Sequence, residues 1–397
     1  MINIAILGFG VVGSGIAEVI TMNKNRIKEH IGDDINIKYI LDLREFPDSP
    51  FANKVVHDFN TILNDDEVTI VAEAMGGLHP AFDFSEQALK KGKSVVTSNK
   101  QVVAEKGDIL LKTAAQNNAR YLFEASVGGG IPILRPLCTC LASNKINEIN
   151  GILNGTTNYI LTQMIDFGKS FDVALKEAQQ NGYAEANPTA DIEGIDACRK
   201  ICILAAIAFG KLIDPSAVRT QGISKIRLSD VKNASDAGYS IKLIGQAKDV
   251  NGKMSVSVAP RLVNNTNLLS KVDDVFNGIL VNGNAVDDVM FIGKGAGMMP
   301  TASAVVADII DIAGRPYIKN QVWEKADSSD LADENDSVSQ YYICTNSNEN
   351  DVKNVLSDYK AISLKDGEFA FITPSLKKKD FDNIISKLDV VSYLEIL

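Results

Sequence analysis

The strongest constraint on the fold of this chain lies at its start. An apolar run at 3–7 leads straight into Gly8-Phe9-Gly10-Val11-Val12-Gly13, and a helical pattern continues to about residue 28. Glycines at this spacing occur in many loops, but here they end a buried strand and open a helix. In that context the first glycine permits a tight turn, the second a close approach to a pyrophosphate, and the third close packing of helix on strand. The helix N-terminus adds amide donors and a field that favours phosphate. The segment therefore predicts a dinucleotide-binding turn built from Gly8, Phe9, Gly10, Val11, Val12 and Gly13.

The alternation continues past this turn. Strand patterns at 35–41, 68–74, 94–97 and 120–124 alternate with helical ones at 80–91 and 109–117. Short connections join them, which predicts an α/β Rossmann-type doubly wound parallel sheet over residues 1–133, completed by 296–318. Asp42 closes the second strand, where an acid favours a ribose 2′-hydroxyl and hence NAD. Arg44, two residues on, suits the 2′-phosphate of NADP, with Lys54 as a helper. Asp42 follows Gly13 by 29 residues, against a usual gap of about 20. Both nucleotides stay open.

From residue 134 the pattern loosens into an α+β domain reaching 295. Helices are expected at 159–168, 172–181 and 191–209, and strands at 255–258, 278–281 and 289–292. The run 293–297 (GKGAG) opens a further helix. Residues 326–337 hold five acids and no base and read as a solvated linker. After it, residues 338–397 spell βαββαβ, the pattern of a small independent module.

The stretch NGYAEANPTADIEGIDACRK at 181–200 carries the most chemistry. Asp196 and Lys200 are four apart on one helical face, acid before base, and Glu185 lies on the loop before them. Two carboxylates and an ammonium suit a small zwitterionic substrate, with Lys200 as proton carrier if it is desolvated. Most such pairs are solvated surface pairs; the apolar ICILAAIAFG that follows argues for enclosure.

Composition narrows the partners. A net charge of −10 speaks against nucleic acid and anionic membranes. No apolar run approaches the roughly 20 residues of a membrane span, and MINIAILG lacks the basic region of a signal peptide, so a cytoplasmic enzyme is expected. The five cysteines form no C-x-x-C pair and have no neighbouring histidine, which predicts buried free thiols rather than a zinc site or a nucleophilic cysteine.

Seven segments, in order, resemble homoserine dehydrogenase: GFGVVGSG, AEAMGGLHPA, VTSNK, FEASVGGGIPI, ILNGTTNYI, the 181–200 stretch and GKGAGMMPTASAVVADI. Departures are small: Ala186-Asn187 stands where the family often has Pro-Asp or Ala-Asp, and Lys294 where proline is common. The resemblance implies NAD(P)-dependent interconversion of L-homoserine and L-aspartate 4-semialdehyde. It implies Lys200 as proton donor, Lys100 as a second catalytic lysine beside nicotinamide and substrate that shares that role, and Glu185 and Asp196 as substrate residues. Met75, Gly182 and Gly297 fall at positions near the cofactor. Main-chain carbonyls of Glu124, Val127, Gly129 and Ile131 match a sodium or potassium site, for which the alternative is a flexible hinge. A homodimer through the middle domain is also implied. The C-terminal module resembles an ACT domain, yet its first turn lacks the Asp-x-Pro-Gly usual where such domains hold a ligand. The competing class, a nucleotide sensor without turnover, predicts that Lys200 is dispensable.

Overall fold

The computed structural model describes residues 1–315, 321–365 and 367–397. The chain divides into two compact units. One comprises Met1–Ser143, Cys202–Pro215 and Gly293–Ala326; the other comprises Asn144–Ile201, Ser216–Ile292 and Asp327–Leu397.

The chain begins β1 (Ile2–Leu7), α1 (Val11–Met22), α2 (Lys24–Ile31), β2 (Ile35–Leu41), β3 (Val55–Val56) and α3 (Phe59–Leu63). It continues β4 (Val68–Glu73), α4 (Ala81–Lys90), β5 (Ser94–Thr97), α5 (Lys100–Gln116), β6 (Tyr121–Leu122) and α6 (Leu134–Cys138). Next come β7 (Ile146–Ile152), α7 (Gly155–Phe167), α8 (Phe171–Gln180), α9 (Thr189–Ile192) and α10 (Ile195–Phe209). Then β8 (Lys211–Leu212), β9 (Arg219–Thr220), α11 (Leu228–Asp236), β10 (Tyr239–Val250) and β11 (Lys253–Asn264) lead to β12 (Phe276–Gly283), β13 (Asp287–Lys294) and α12 (Met298–Gly314). The last part holds β14 (Glu324–Lys325), β15 (Val338–Ser339), β16 (Tyr341–Thr345), α13 (Glu349–Val355) and β17 (Lys360–Lys365). It closes with β18 (Glu368–Ile372), β19 (Leu376–Lys377), α14 (Lys378–Ile385) and β20 (Val390–Ile396).

In the first unit six parallel strands lie in the order β3-β2-β1-β4-β5-β6. The winding reverses between β1 and β4, where a doubly wound sheet leaves its ligand crevice. Ile4, Ile6, Ile40, Ile70 and Val96 pack with Ile16 and Ile20 of α1 and with Val305 and Ile309 of α12. A Cβ on Gly15 would lie 3.0 Å from Ala302 Cβ, so the absent side chain sets the α1–α12 spacing. The expected helix to residue 28 breaks at Asn23. Thr21 and Asn23 side chains bond back to the carbonyls of Ala17 and Val19, which draws those acceptors away from the helical ladder. Conversely, α5 starts well before the expected 109, because Asn99 Oδ1 accepts from Val102 N at 3.2 Å and caps it.

The second unit is built on one mixed sheet, ordered β13-β12-β7-β10-β11-β20-β16-β18-β17, with β9 on β11. β10 and β11 pair over their whole length around Asn251 (φ +55°) and Gly252 (φ +85°). This is the Asn-Gly hairpin turn, far longer than the short strand expected at 255–258.

The C-terminal elements follow the expected βαββαβ order but do not stand apart. β20 pairs in parallel with β11 (Arg261↔Glu395, Leu262↔Ile396). One face of this end of the sheet holds Tyr341, Ile343, Phe369 and Phe371 against Phe381 of α14. From the other face Tyr342 and Ser392 donate to Asp230 of α11, at 3.0 and 2.7 Å. The acidic stretch is likewise fastened rather than a free solvated linker. Ala332 N donates to Met254 O at 2.8 Å, and Arg219 pairs with Glu334 at 2.7 Å. Cys198, Cys202 and Cys344 are buried thiols as expected, whereas Cys138 and Cys140 are exposed; the short helix α6 ends at Cys138 and so leaves both at its rim. Among the described residues no helix is long and apolar enough to cross a membrane.

Arg261, 1% exposed, is held by Glu395 Oε2 at 3.1–3.2 Å across the β11–β20 seam. Replacing Glu395 by Ala strands a buried guanidinium, so urea unfolding should show a loss of about 3–5 kcal/mol. An unchanged midpoint would mean that the seam does not depend on this pair.

Candidate active site

In the first unit the glycine turn forms as its spacing predicts. Gly8 adopts φ +89°, and a Cβ on Gly13 would fall 1.9 Å from Gly8 O. A Cβ on Gly10 would meet nothing within 4 Å, and α1 has neither a side-chain cap nor an acid in its first turn. Its N-terminal amides therefore open onto an uncluttered cradle, which fits a pyrophosphate. Phe9 is buried edge-on against Phe46 at 5.0 Å, while Val11 is exposed and Val12 half-buried.

Asp42 fastens this turn, its Oδ2 accepting from Phe9 N at 2.8 Å. Arg44 grips the same carboxylate through Nε and Nη2, both at 3.0 Å, with its guanidinium 5.1 Å over the Phe46 ring. The Arg44 guanidinium, helped by the Phe9 and Arg44 N–H groups, holds the Asp42 carboxyl well below the usual carboxylate range despite partial burial. Lys54 does not join them. It donates to Asn36 Oδ1 and to the Ile37 carbonyl instead.

A second turn leans on the first. A Cβ on Gly8 would lie 3.0 Å from Met75 Cγ and from Ala74 O. Buried Glu73 shapes this turn, accepting from Met75 N at 2.7 Å and from Thr97 Oγ1 at 2.5 Å. Thr97 Oγ1 in turn accepts from Asn99 N at 2.9 Å, and Asn99 Nδ2 donates to Gly77 O at 2.7 Å. Lys100 opens α5 directly after this network.

The glycine-dense joint sits on the 293–297 loop. Gly128 and Gly129 adopt φ +72° and +55°, and a Cβ on Gly129 would fall 2.6 Å from the Gly295 backbone. Gly297 (φ +120°) caps α12 beside it. Among the described residues no N–H or O–H donates to the carbonyls of Val127, Gly129 or Ile131, which fits a hard cation. The Glu124 carboxylate is already used, capping α6 by accepting from Ile133, Leu134 and Arg135 N at 2.7–2.9 Å. Its own N–H donates to Asp308 at 2.8 Å. Among the described residues no cluster of His, Cys, Asp or Glu side chains is arranged to hold a metal.

In the second unit Asp196 and Lys200 share a face of α10 as their spacing predicts, and they are enclosed, at 4% and 7% exposed. Lys200 Nζ donates to Asp196 Oδ2 and to Leu153 O, each at 2.7 Å. Asn154 Nδ2 donates to Asp191 Oδ1 at 2.7 Å and to Asp196 Oδ2 at 2.9 Å. The expected continuous helix from 191 is interrupted at Gly194 (φ +79°). A Cβ there would lie 3.2 Å from Thr220 and Val258 side chains, so the bend lets the chain reach the sheet. Glu185 and Gly182 lie exposed on the preceding loop, Gly182 at φ +75°. Thr156 ties that loop to α7 by donating to Tyr183 O at 2.6 Å.

Sequence reasoning missed Asp191, Asn154, Glu73, Thr97 and Asn99. Asn154 and Asn99 had a legible signal, an asparagine immediately before a helical run. For the acids Asp191 and Glu73 there was none.

Residues 132–310 match the family model described as homoserine dehydrogenase, and residues 8–124 the one described as homoserine dehydrogenase, NAD binding domain. The chain is 44% identical over 315 residues to the homoserine dehydrogenase of Neisseria gonorrhoeae, covering 79% of this chain and 72% of that one. With that of Bacillus subtilis it shares 41% over 314 residues, 78% and 72% of the two chains. A solved homoserine dehydrogenase from Thiobacillus denitrificans superposes with TM-score 0.92 at 34% identity, covering 100% of this chain and 98% of that one. A hyperthermophilic archaeal homoserine dehydrogenase in complex with NADPH gives TM-score 0.68 at 29% identity, covering 78% and 97%.

Two buried acids make stability depend on pH. Burial pushes Glu73 up to about 7, against the opposing donors of Thr97, Met75 and Asn99. Burial likewise pushes Asp308 up to about 7, with Arg135 opposing and Glu124 assisting. Each acid keeps a proton in the folded state that the unfolded chain has already lost, so stability falls as pH rises from the ordinary carboxylate range through 7. Glu73→Gln should remove its share of that slope, about 3 kcal/mol across the window, in urea unfolding followed against pH. An identical slope in the variant would contradict this.

Proposed function

The chain belongs to the homoserine dehydrogenase family, and from that premise we propose how its residues divide the work. The reaction interconverts L-homoserine and L-aspartate 4-semialdehyde, the chemistry of an NAD(P)-dependent oxidoreductase acting on a CH–OH group. The nicotinamide nucleotide, when bound, supplies or accepts the hydride.

Lys200 is the group that holds the proton. In the reducing direction its ammonium donates from Nζ to the carbonyl oxygen as negative charge develops there; in the oxidising direction the amine takes the proton back. Enclosure of the amine between the Leu153 carbonyl and the Asp196 carboxylate is the observation that carries this reading. Asp196 orients the lysine, and Asp191, joined to it through Asn154, extends the same acidic wall. Glu185, exposed on its loop, receives the substrate ammonium. Lys100 supports the developing oxyanion as a second positive charge.

The glycine turn from Gly8 to Gly13 would hold the pyrophosphate, and Met75, Gly182 and Gly297 are assigned as further cofactor residues. Arg44 already neutralises Asp42, which supports acceptance of NADP through its 2′-phosphate; release of Arg44 would leave Asp42 for the 2′-hydroxyl of NAD. The carbonyls of Glu124, Val127, Gly129 and Ile131 would hold a sodium or potassium ion, whose charge would stiffen the joint. The working form is a homodimer through the middle domain. The ACT-like segment has a structural role, because α11 covers a sheet face with Asp230 and Asn233.

Initial rates with homoserine against NAD and NADP, with and without threonine, test these assignments together. Lys200→Ala should lose about 10²-fold or more in kcat while still binding nucleotide; unchanged turnover would remove the proton role. Arg44→Ala should raise the KM for NADP about 10-fold and leave that for NAD little changed, as loss of a charge-assisted contact predicts. Threonine should leave the rates unchanged.

A further inference from the structure

Resting on the assignment of Lys200 and its carboxylates, we propose that Asn154 is a positioning residue for the reaction, its amide holding Asp191 and Asp196 together so that the Lys200 ammonium stays fixed. A carboxamide has one acceptor oxygen and two N–H donors. Asn154 Oδ1 accepts from Thr157 N at 2.9 Å and caps α7, which settles the orientation of the amide. Nδ2 must then face the acids, and it reaches Asp191 Oδ1 at 2.7 Å and Asp196 Oδ2 at 2.9 Å. The neighbouring residue completes the arrangement, since Leu153 O accepts from Lys200 Nζ at 2.7 Å. Two consecutive residues at the end of β7 thus hold the ammonium through a carbonyl and both carboxylates through an amide.

This demand selects asparagine. Aspartate would cap α7 equally well, but it has no donor when ionised and adds a third negative charge opposite two. Serine caps too, and brings one donor in place of two. Among the charged groups facing the amide are Asp191 from α9 and Asp196 and Lys200 from α10. Lys242 of β10 meets α7 further along, at Asn158 Oδ1, and is bonded there to Val272 O and Asp273. A charge introduced at 154 therefore acts on the catalytic cluster.

The test is kcat/KM for homoserine against pH, on the full chain, for N154D, N154S and K200A, with nucleotide binding as the check on folding. N154D should lose about 10- to 100-fold at alkaline pH, the worth of charge-assisted hydrogen bonds. It should recover as the introduced carboxyl is protonated and donates again. N154S should keep the wild-type pH profile with a rise of about 10-fold in the KM for homoserine and an unchanged KM for the nucleotide. A wild-type profile and KM in both variants, with K200A inactive, overturns the role of Asn154 and leaves that of Lys200 standing. Should N154D not fold, an unchanged homoserine KM in N154S overturns it alone. A fully active K200A instead defeats the reading on which the proposal rests.

Discussion

An ammonium taken out of water must be repaid by hydrogen bonds, and in this enzyme the enclosed Lys200 amine donates to the Leu153 carbonyl and to the Asp196 carboxylate. Much of the second unit's local design serves that approach. Gly151 and Gly245 sit opposite each other on β7 and β10. A Cβ on Gly245 would press on Leu153 at 3.0 Å and Ile201 at 3.2 Å, and one on Gly151 would strike Leu153 at 2.6 Å. This bare pair in the sheet lets Leu153 and α10 settle close enough for the carbonyl to reach the amine. Gly155 plays a related part, since a Cβ there would fall 2.6 Å from Val275 O.

The first unit solves a parallel problem with acids at the ends of its strands. Asp42 ties the glycine turn through Phe9 N, and Glu73 ties the neighbouring turn through Met75 N. Each is an acidic side chain at a strand's end holding a backbone amide, so the loops that follow are fixed by rigid strands. Asp42 has an arginine partner and is held ionised; Glu73 has only neutral donors, and burial raises it. The same kind of contact is thus insensitive to pH in one turn and sensitive in the other.

What the sequence made legible follows from the range of the interactions involved. The strand–turn–helix at Gly8–Gly13 and the Asp196–Lys200 face are local, and short-range periodicity was enough to read them. The parallel first sheet emerged for the same reason, as a sum of short strand–helix repeats. The Asn251-Gly252 turn is equally local, yet its hairpin is masked because β10 and β11 are buried on both sides for much of their length and lack clean alternation. Long-range pairings left no local trace. Nothing in the pattern of 338–397 announces that β20 will join β11, and nothing near Asp191 announces the amide of Asn154. The break after Glu193 was hidden because Ile192 and Ile195 continue an apparent apolar period across Gly194.

The central claim is that the Lys200 amine is the proton carrier for the homoserine oxygen. A crystal structure with nicotinamide nucleotide and homoserine bound tests it most directly. The account predicts Lys200 Nζ within hydrogen-bond reach, about 2.6–3.2 Å, of the substrate hydroxyl oxygen, with Asp196 still beside it. A substrate hydroxyl bonded elsewhere, with the amine turned only to Leu153 and Asp196, would contradict it.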